Sequence, residues 1–247
     1  MTAPGVAYRC PAVETGEDAP APGECHIWLV PIRRRVDWLD LLDDDERRHA
    51  RRLTVRHVRD TFVTSRAAQR LIGSRYLGLP TRQVSVSRVC RYCGALHGRP
   101  VFDAGTLDYS VSHAGNWVLV AVVGAGLVGA DIECVESDRD IDALAGVALT
   151  AGELEHAARM PPAERAAAFF IAWTRKEAAM KLTGLGLQAP PNQLDVSGSR
   201  VIVDRVPRWP DVPVHLHGAA APTGYQLALA TTMPLTAVHR HIRTSDI

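Results

Sequence analysis

Alternating and continuous apolar runs mark the strands of this chain. His26-Ile-Trp-Leu-Val30 reads as a first strand, closed by Pro31, which cannot extend a ladder. Val84-Ser-Val86 is a short strand. Leu107 to His113 alternates and stops at Ala114-Gly115-Asn116. Trp117 to Val123 is a continuous apolar run, the pattern of a buried strand. After the turn Gly124-Ala-Gly126, Leu127 to Glu133 is expected to return as its hairpin partner. Val201–Val203, Val214–Leu216, Tyr225–Ala230 and Ala237–Ile242 follow as short strands between Pro/Gly turns.

Helical periodicity occupies the intervals between these strands. Asp43-Asp-Asp-Glu46 suits a helix N-terminus, where the peptide dipoles favour anions. Helices are predicted over Glu46–Leu53 and Arg59–Leu77, with Phe62, Ala67, Leu71 and Ile72 on the apolar side of the second. Thr150-Ala-Gly-Glu153 is a capping box that opens a helix through Met160. That capping role accounts for Glu153 without a catalytic one. Pro161-Pro162 starts the longest helix, and Gly184 ends it. Mixed helices, strands and hairpins predict an α+β fold rather than a doubly wound sheet. A long helix beside strands in each half leaves room for two similar lobes. The boundaries are a disordered N-terminal tail over residues 1–24, an N-terminal lobe over 25–106 and a C-terminal lobe over 107–247.

Charge changes this picture by its distribution. The net charge is +1, so no overall field argues for nucleic acid or membrane. Arginines nevertheless crowd Arg33 to Arg75, and carboxylates gather between Asp131 and Asp142. The asymmetry suggests an anionic ligand at one end and a cation at the other. No run approaches the roughly 20 apolar residues of a membrane span, and the N-terminus lacks the pattern of a signal peptide. With five cysteines and no secretion signal, a reduced cytoplasmic chain is expected.

Candidate chemistry centres on Phe169 to Leu187, FFIAWTRKEAAMKLTGLGL. Glu177 and Lys181 are four residues apart and share a helical face, with Trp173 one turn earlier. Asp131 and Glu133 face the same way on a strand. Three carboxylates from two elements, plus a lysine, would make a site for a hard cation and a phosphate. A solvated ion pair is the alternative for Glu177 and Lys181. Ser112 and His113, at a strand end, lack a third orienting residue for a hydrolase triad. They fit a pair that bonds phosphate or ribose, or a strand-end turn without function. Cys90-Arg-Tyr-Cys93 with His97 resembles half a zinc site, but a second ligand pair is missing, so it reads as a loop with incidental thiols.

Three of these segments together resemble the Sfp-type 4′-phosphopantetheinyl transferases: Tyr109-Ser-Val-Ser-His-Ala-Gly115, Val128-Gly-Ala-Asp-Ile-Glu133, and Trp173-Thr-Arg-Lys-Glu-Ala-Ala-Met-Lys181 with Gly184-Leu-Gly-Leu187. Their order and spacing match the family's signature, and His97-Gly-Arg-Pro100 looks like its Gly-Lys/Arg-Pro loop. The resemblance implies a monomeric pseudo-twofold pair of α+β lobes with coenzyme A in the cleft between them. It implies Mg²⁺-dependent transfer of 4′-phosphopantetheine from coenzyme A to a serine of an apo carrier protein, leaving adenosine 3′,5′-bisphosphate. The carriers implied are acyl or peptidyl carrier proteins of polyketide or nonribosomal peptide synthesis, with fatty-acid carriers as a further class.

By residue, the resemblance assigns Mg²⁺ to Asp131, Glu133 and Glu177, and the pyrophosphate to Lys181. Asp131, Glu177 and Lys181 would be the catalytic set. Ser112 and His113 would contact coenzyme A, with His113 at the 3′-phosphate and Arg99 near the adenine or phosphate end. Arg59 and Arg66 are candidates for further phosphate contacts. Three positions depart from the family pattern: Ile132 sits where some members supply a polar group, and Glu46 and His49 sit where relatives often carry lysines. Phosphate contacts there must come from arginines. The segment after Glu133 through Thr150 is a candidate for carrier docking. The competing readings are a Mg²⁺-dependent phosphodiesterase or pyrophosphatase and a non-enzymatic coenzyme A or carrier-binding module.

Overall fold

The computed structural model describes residues 19–135 and 140–242. Most of the expected N-terminal tail, the tail after Ile242 and part of the segment after Glu133 lie outside them. The chain runs β1 (Glu24–Pro31), α1 (Asp44–Arg52), α2 (Arg56–Leu77), β2 (Val86–Ser87), β3 (Val101–Phe102), β4 (Asp108–Ala114), β5 (Trp117–Val123) and β6 (Val128–Cys134). It continues through α3 (Ile141–Ala148), α4 (Ala151–Ala158), α5 (Pro162–Thr183), β7 (Leu194–Asp195), β8 (Ile202–Val203), β9 (His215–Gly218), β10 (Tyr225–Thr231) and β11 (Ala237–Ile242). The class is mixed α+β, as the patterning predicts. No described helix is long and apolar enough to cross a membrane.

Two sheets carry the fold: β11-β1-β5-β4, and β6-β10-β9. They bury a shared core that includes Ile27, Leu29, Leu119, Ala121, Ala130 and Leu229. Helix α2 covers the other side of the first sheet, with Ala67, Ile72 and Tyr76 against Trp28, Val118 and Val120. Helix α5 covers the second, with Ala178, Met180 and Leu182 packed with Leu216, Ala228 and Ala230. Strand pairing crosses the expected lobe division, because β4, β5 and β11 all share a sheet with β1.

The expected hairpin between β5 and β6 does not form. β5 pairs with β4 through the Gly115-Asn116 turn and with β1, while β6 pairs with β10. Two features of β6 explain its departure. Gly129 lets α5 lie directly on the strand: a Cβ there would stand 1.9 Å from the Ala178 carbonyl oxygen. The other feature is a ladder built from side chains. Alternate residues of β4 reach across to alternate backbone N–H groups of β6. Val128 donates to Asp108 (2.7 Å), Ala130 to Ser110 (3.0 Å) and Ile132 to Ser112 (3.4 Å). The edges of the two sheets are therefore joined in parallel register by side chains instead of carbonyls. Helix α3 was also unexpected; its N-cap is Asp140, which accepts from the Ala143 N–H.

The two long helices are built alike. Each spans 22 residues and ends at a glycine with positive φ, Gly78 or Gly184. Each is preceded by a short helix with a capping box, Asp43/Glu46 or Thr150/Glu153. In both boxes the glutamate also pairs with a cation of the following long helix. Glu46 meets Arg70 at 2.9 Å, and Glu153 meets the fully buried Lys176 at 2.5 Å. Lys176 completes its donors on the Pro191 and Leu194 carbonyls. Glu153 thus does more than cap its own helix.

The side-chain ladder yields a test. Ser110→Ala leaves the buried Ala130 N–H without an acceptor, a loss of about 1–3 kcal/mol. Urea denaturation should show a lower midpoint with an unchanged slope. An unaltered midpoint would mean that the ladder does not hold the sheets together.

Candidate functional site

A cleft of about 680 Å³ is walled by α1 and α2 on one side and by β4, β6 and α5 on the other. Asp131, Glu133, Glu177, Lys181, Ser112, His113 and Arg66 all line it. Four segments remote in sequence are thereby brought together, and the volume falls in the range of small-molecule sites.

The centre is a hydrogen-bonded trio. Asp131 is 3% exposed. Its Oδ1 accepts from Ser112 Oγ at 2.7 Å and from Lys181 Nζ at 2.6 Å. Lys181 also donates to Ser112 Oγ at 2.7 Å. Ser112 is therefore fully engaged: it accepts from Lys181 and from the Ile132 N–H, and it donates to Asp131. Burial pushes the Asp131 carboxyl up, against the pull of Lys181 and Ser112. The second carboxylate oxygen, Oδ2, is buried with no hydrogen-bond partner.

Glu133 and Glu177 complete the acidic wall. Trp173, one turn before Glu177 on α5, donates its indole N–H to Glu133 Oε1 at 3.0 Å. The Glu177 carboxylate makes no hydrogen bond among the described residues. Partial burial raises its pKa, the neighbouring Asp131 and Glu133 add to the rise, and Lys181 opposes it. The three acids do not close into a tight knot. Among the described residues, the groups whose ligand atoms all lie within 4.8 Å of one another are Cys90/Cys93/His97 and Glu24/His26/His239. Even so, the donor set fits a hard divalent cation. It is oxygen-only, it holds an orphaned buried carboxylate oxygen, and its like charges repel in the absence of a cation.

The facing wall is basic. Arg66 stacks its guanidinium 5.0 Å from the Phe62 ring centre. Burial, with Arg88 nearby, lowers its pKa to about 10. Arg66, Arg70 and Arg88 converge on the buried carboxylate of Glu46, at 3.4, 2.9 and 3.4 Å. Arg88 also donates to Gln69 Oε1, which accepts from the Tyr109 hydroxyl. His49 and His57 line the same wall. His113 is exposed beside the cleft. Partial desolvation, then Lys181 and Arg66, hold its pKa below the ordinary histidine range.

The remaining expected phosphate contacts lie elsewhere. Arg59 is not among the residues that line the cleft. Arg99 lines a smaller hollow beside it, with Glu177 and Lys181. Its guanidinium is committed to the Asp108 carboxylate and the Val128 carbonyl, where it anchors one end of the side-chain ladder. The hub formed by Glu46, Arg66, Arg70 and Arg88 was not singled out from sequence. A signal existed: Arg66 and Arg70 share a helical face and need one acid opposite them.

A family profile described as "4'-phosphopantetheinyl transferase superfamily" matches residues 127–230, the stretch from just before β6 through most of β10. The chain is similar to the 4'-phosphopantetheinyl transferase HetI of Nostoc sp., at 31% identity over 172 residues, which are 66% of this chain and 70% of that protein. It is 32% identical to the 4'-phosphopantetheinyl transferase psf-1 of Bacillus pumilus over 158 residues, 61% of this chain and 64% of that one. To the 4'-phosphopantetheinyl transferase AcpT of Salmonella typhi it is 36% identical over 88 residues, 35% and 46% of the two chains.

The crowded carboxylates predict a pH-dependent gain in stability. The raised pKa of Glu177 means that its ionised form opposes folding above the ordinary carboxylate range and costs nothing below it. With chelator present, Glu177→Gln should raise Tm by roughly 2–4 °C at about pH 8 and leave it unchanged at about pH 4. Thermal scans at both pH values check this; a loss of stability at the higher pH would contradict the repulsion.

Proposed function

The chain belongs to the 4'-phosphopantetheinyl transferase superfamily, and we propose that its cleft transfers 4′-phosphopantetheine from coenzyme A to a serine of an apo acyl or peptidyl carrier protein, with Mg²⁺. Members of this superfamily are transferases that use coenzyme A and act on carrier proteins. The observation that carries the residue roles is the opposition of the two walls. Carboxylates with an unpartnered buried oxygen face a bank of arginine and histidine across a cleft of ligand size.

In this reading Asp131, Glu133 and Glu177 hold the cation, which when bound neutralises pyrophosphate charge. Trp173 keeps Glu133 turned toward the cleft through its indole N–H. The serine oxygen attacks the β-phosphorus, the bond from that phosphorus to the bridging oxygen breaks, and adenosine 3′,5′-bisphosphate leaves. Lys181 meets the charge that builds on the leaving phosphate. Ser112 and Asp131 hold its ammonium in place, so Ser112 acts by positioning Lys181. Glu177, whose carboxylate has no hydrogen bond among the described residues, takes the serine proton. Arg66, on the far side, and His113, on β4, are the phosphate contacts. The matched build of α2 and α5, each with its capping glutamate and partner cation, supports reading the halves as two related lobes around that cleft. We also take the working unit as a monomer and the compartment as the cytoplasm. The preferred carriers are those of polyketide or nonribosomal peptide synthesis.

The deciding measurement is mass spectrometry of an apo carrier protein mixed with this chain, coenzyme A and Mg²⁺, with and without chelator. A chelator-sensitive gain of one phosphopantetheine on the carrier serine supports the reading. Product formed from coenzyme A alone would move the chain to a pyrophosphatase-like reaction instead. Glu177→Ala should reduce transfer at least about 100-fold with the fold intact. Arg66→Ala should weaken coenzyme A more than dephospho-coenzyme A; equal losses would remove Arg66 from the 3′-phosphate.

A further inference from the structure

The loop between β2 and β3 holds chemistry that the transfer reaction does not use. Cys90, Cys93 and His97 bring two thiol sulfurs and an imidazole nitrogen to within 4.8 Å of one another. Cys93 Sγ stands 3.0 Å from His97 Nε2. In a tetrahedral zinc site, bond lengths of about 2.3 Å to sulfur and 2.0–2.1 Å to nitrogen put neighbouring ligand atoms roughly 3.5–3.8 Å apart. The three atoms are already gathered on that scale.

The backbone around them has the shape that such a site needs. The Gly94 N–H bonds the Cys90 carbonyl at 2.8 Å, and Gly94 turns the chain at a φ of 75°. The Cys90 N–H returns to the Ala95 carbonyl at 2.7 Å. Backbone N–H groups of Tyr92 and Cys93 also bond the Cys90 sulfur. The Cys-x-x-Cys-Gly segment is thus a tight turn whose amides point at sulfur. Gly98 closes the figure, because a Cβ there would come within 2.7 Å of the Cys90 Cα and N. That close approach is what brings His97 back over the thiols.

Little else holds this loop internally. Leu96 is 79% exposed and Val89 is 54% exposed, so no apolar core forms beneath them. Its outward contacts reach the site's framework all the same. Arg91 donates to the Thr183 carbonyl at the C-terminal end of α5, and Tyr92 packs against the core beside that helix. Arg99, just beyond the loop's histidine, anchors the β4–β6 ladder.

We propose that Cys90, Cys93 and His97 bind one zinc ion, which clips the β2–β3 loop against α5 and the side-chain ladder. Two thiolates and an imidazole select zinc over magnesium, so this site and the carboxylate cleft take different metals. Water fills the fourth position, since Cys93 and His97 are exposed. The role assigned to the site is structural: its three ligands stand outside the carboxylate cleft, and His97 lines only the smaller hollow that adjoins Glu177 and Lys181.

The test is metal analysis of the full chain, grown with zinc in the medium and purified without chelator. We expect about one zinc per chain, falling to background in Cys93→Ser and in His97→Ala. Cobalt added to metal-stripped protein should give sulfur-to-cobalt charge-transfer absorption that saturates at one equivalent. This spectrum needs no variant, so a misfolded mutant leaves the proposal testable, and it distinguishes thiolate ligands from carboxylates. Zinc removal should also lower Tm and open the bond after Arg91 to trypsin. Protein that carries no zinc and gives no sulfur band with cobalt overturns the site. Zinc retained in both variants does the same.

Discussion

The ladder of Asp108, Ser110 and Ser112 along β6 is the constraint from which the site's geometry follows. An edge strand needs partners for its N–H groups, and β6 finds them on side chains of β4. Leaving any of those buried donors unmet would cost about 1–3 kcal/mol, against about 1 kcal/mol gained per bond made. The rungs therefore fix register more than they add stability. That register sets the last rung, Ser112, beside Asp131, and Lys181 completes the trio. The same side chain joins the sheets and orients the ammonium.

Each wall of the cleft handles its surplus charge differently. On the basic side, Glu46 gives three arginines a shared, buried counter-ion, so they stay gathered with nothing bound. On the acidic side Lys181 offsets Asp131 and Glu177, yet burial still raises the pKa values of both. The arginines share a buried counter-ion, whereas Asp131 keeps a buried carboxylate oxygen without a partner among the described residues. That imbalance suits a site that must take up a cation together with an anionic ligand.

Much of this was legible in the chain, and the limits are physical. Strand alternation, the Pro162 start and Gly184 stop of α5, and the Asp131/Glu133 spacing are local signals, and all three acids meet in one cleft. Pairing was not local. The turn Gly124-Ala-Gly126 looked like a hairpin, yet β6 left its neighbour because its hydrogen bonds go to side chains and Gly129 admits α5. Lys176 was invisible for a similar reason. Periodicity cannot announce a buried lysine whose acid and carbonyls arrive from two other segments. Arg99 carries a loop motif, yet its guanidinium is held by an aspartate nine residues on.

Strand β11 pairs in parallel with β1, Glu24 beside Ala237 and Leu29 beside Ile242. The first of the described strands is therefore completed by the last of them. During synthesis, β1 waits with one flank unpaired until residues 237–242 have emerged. Such distant pairing slows folding, since the loop entropy is lost before the contacts form. In the interval the apolar strand Ile27-Trp28-Leu29-Val30 offers an open edge to any other extended chain. The cell's exposure to misassembly of this protein is thus set by how quickly β11 arrives.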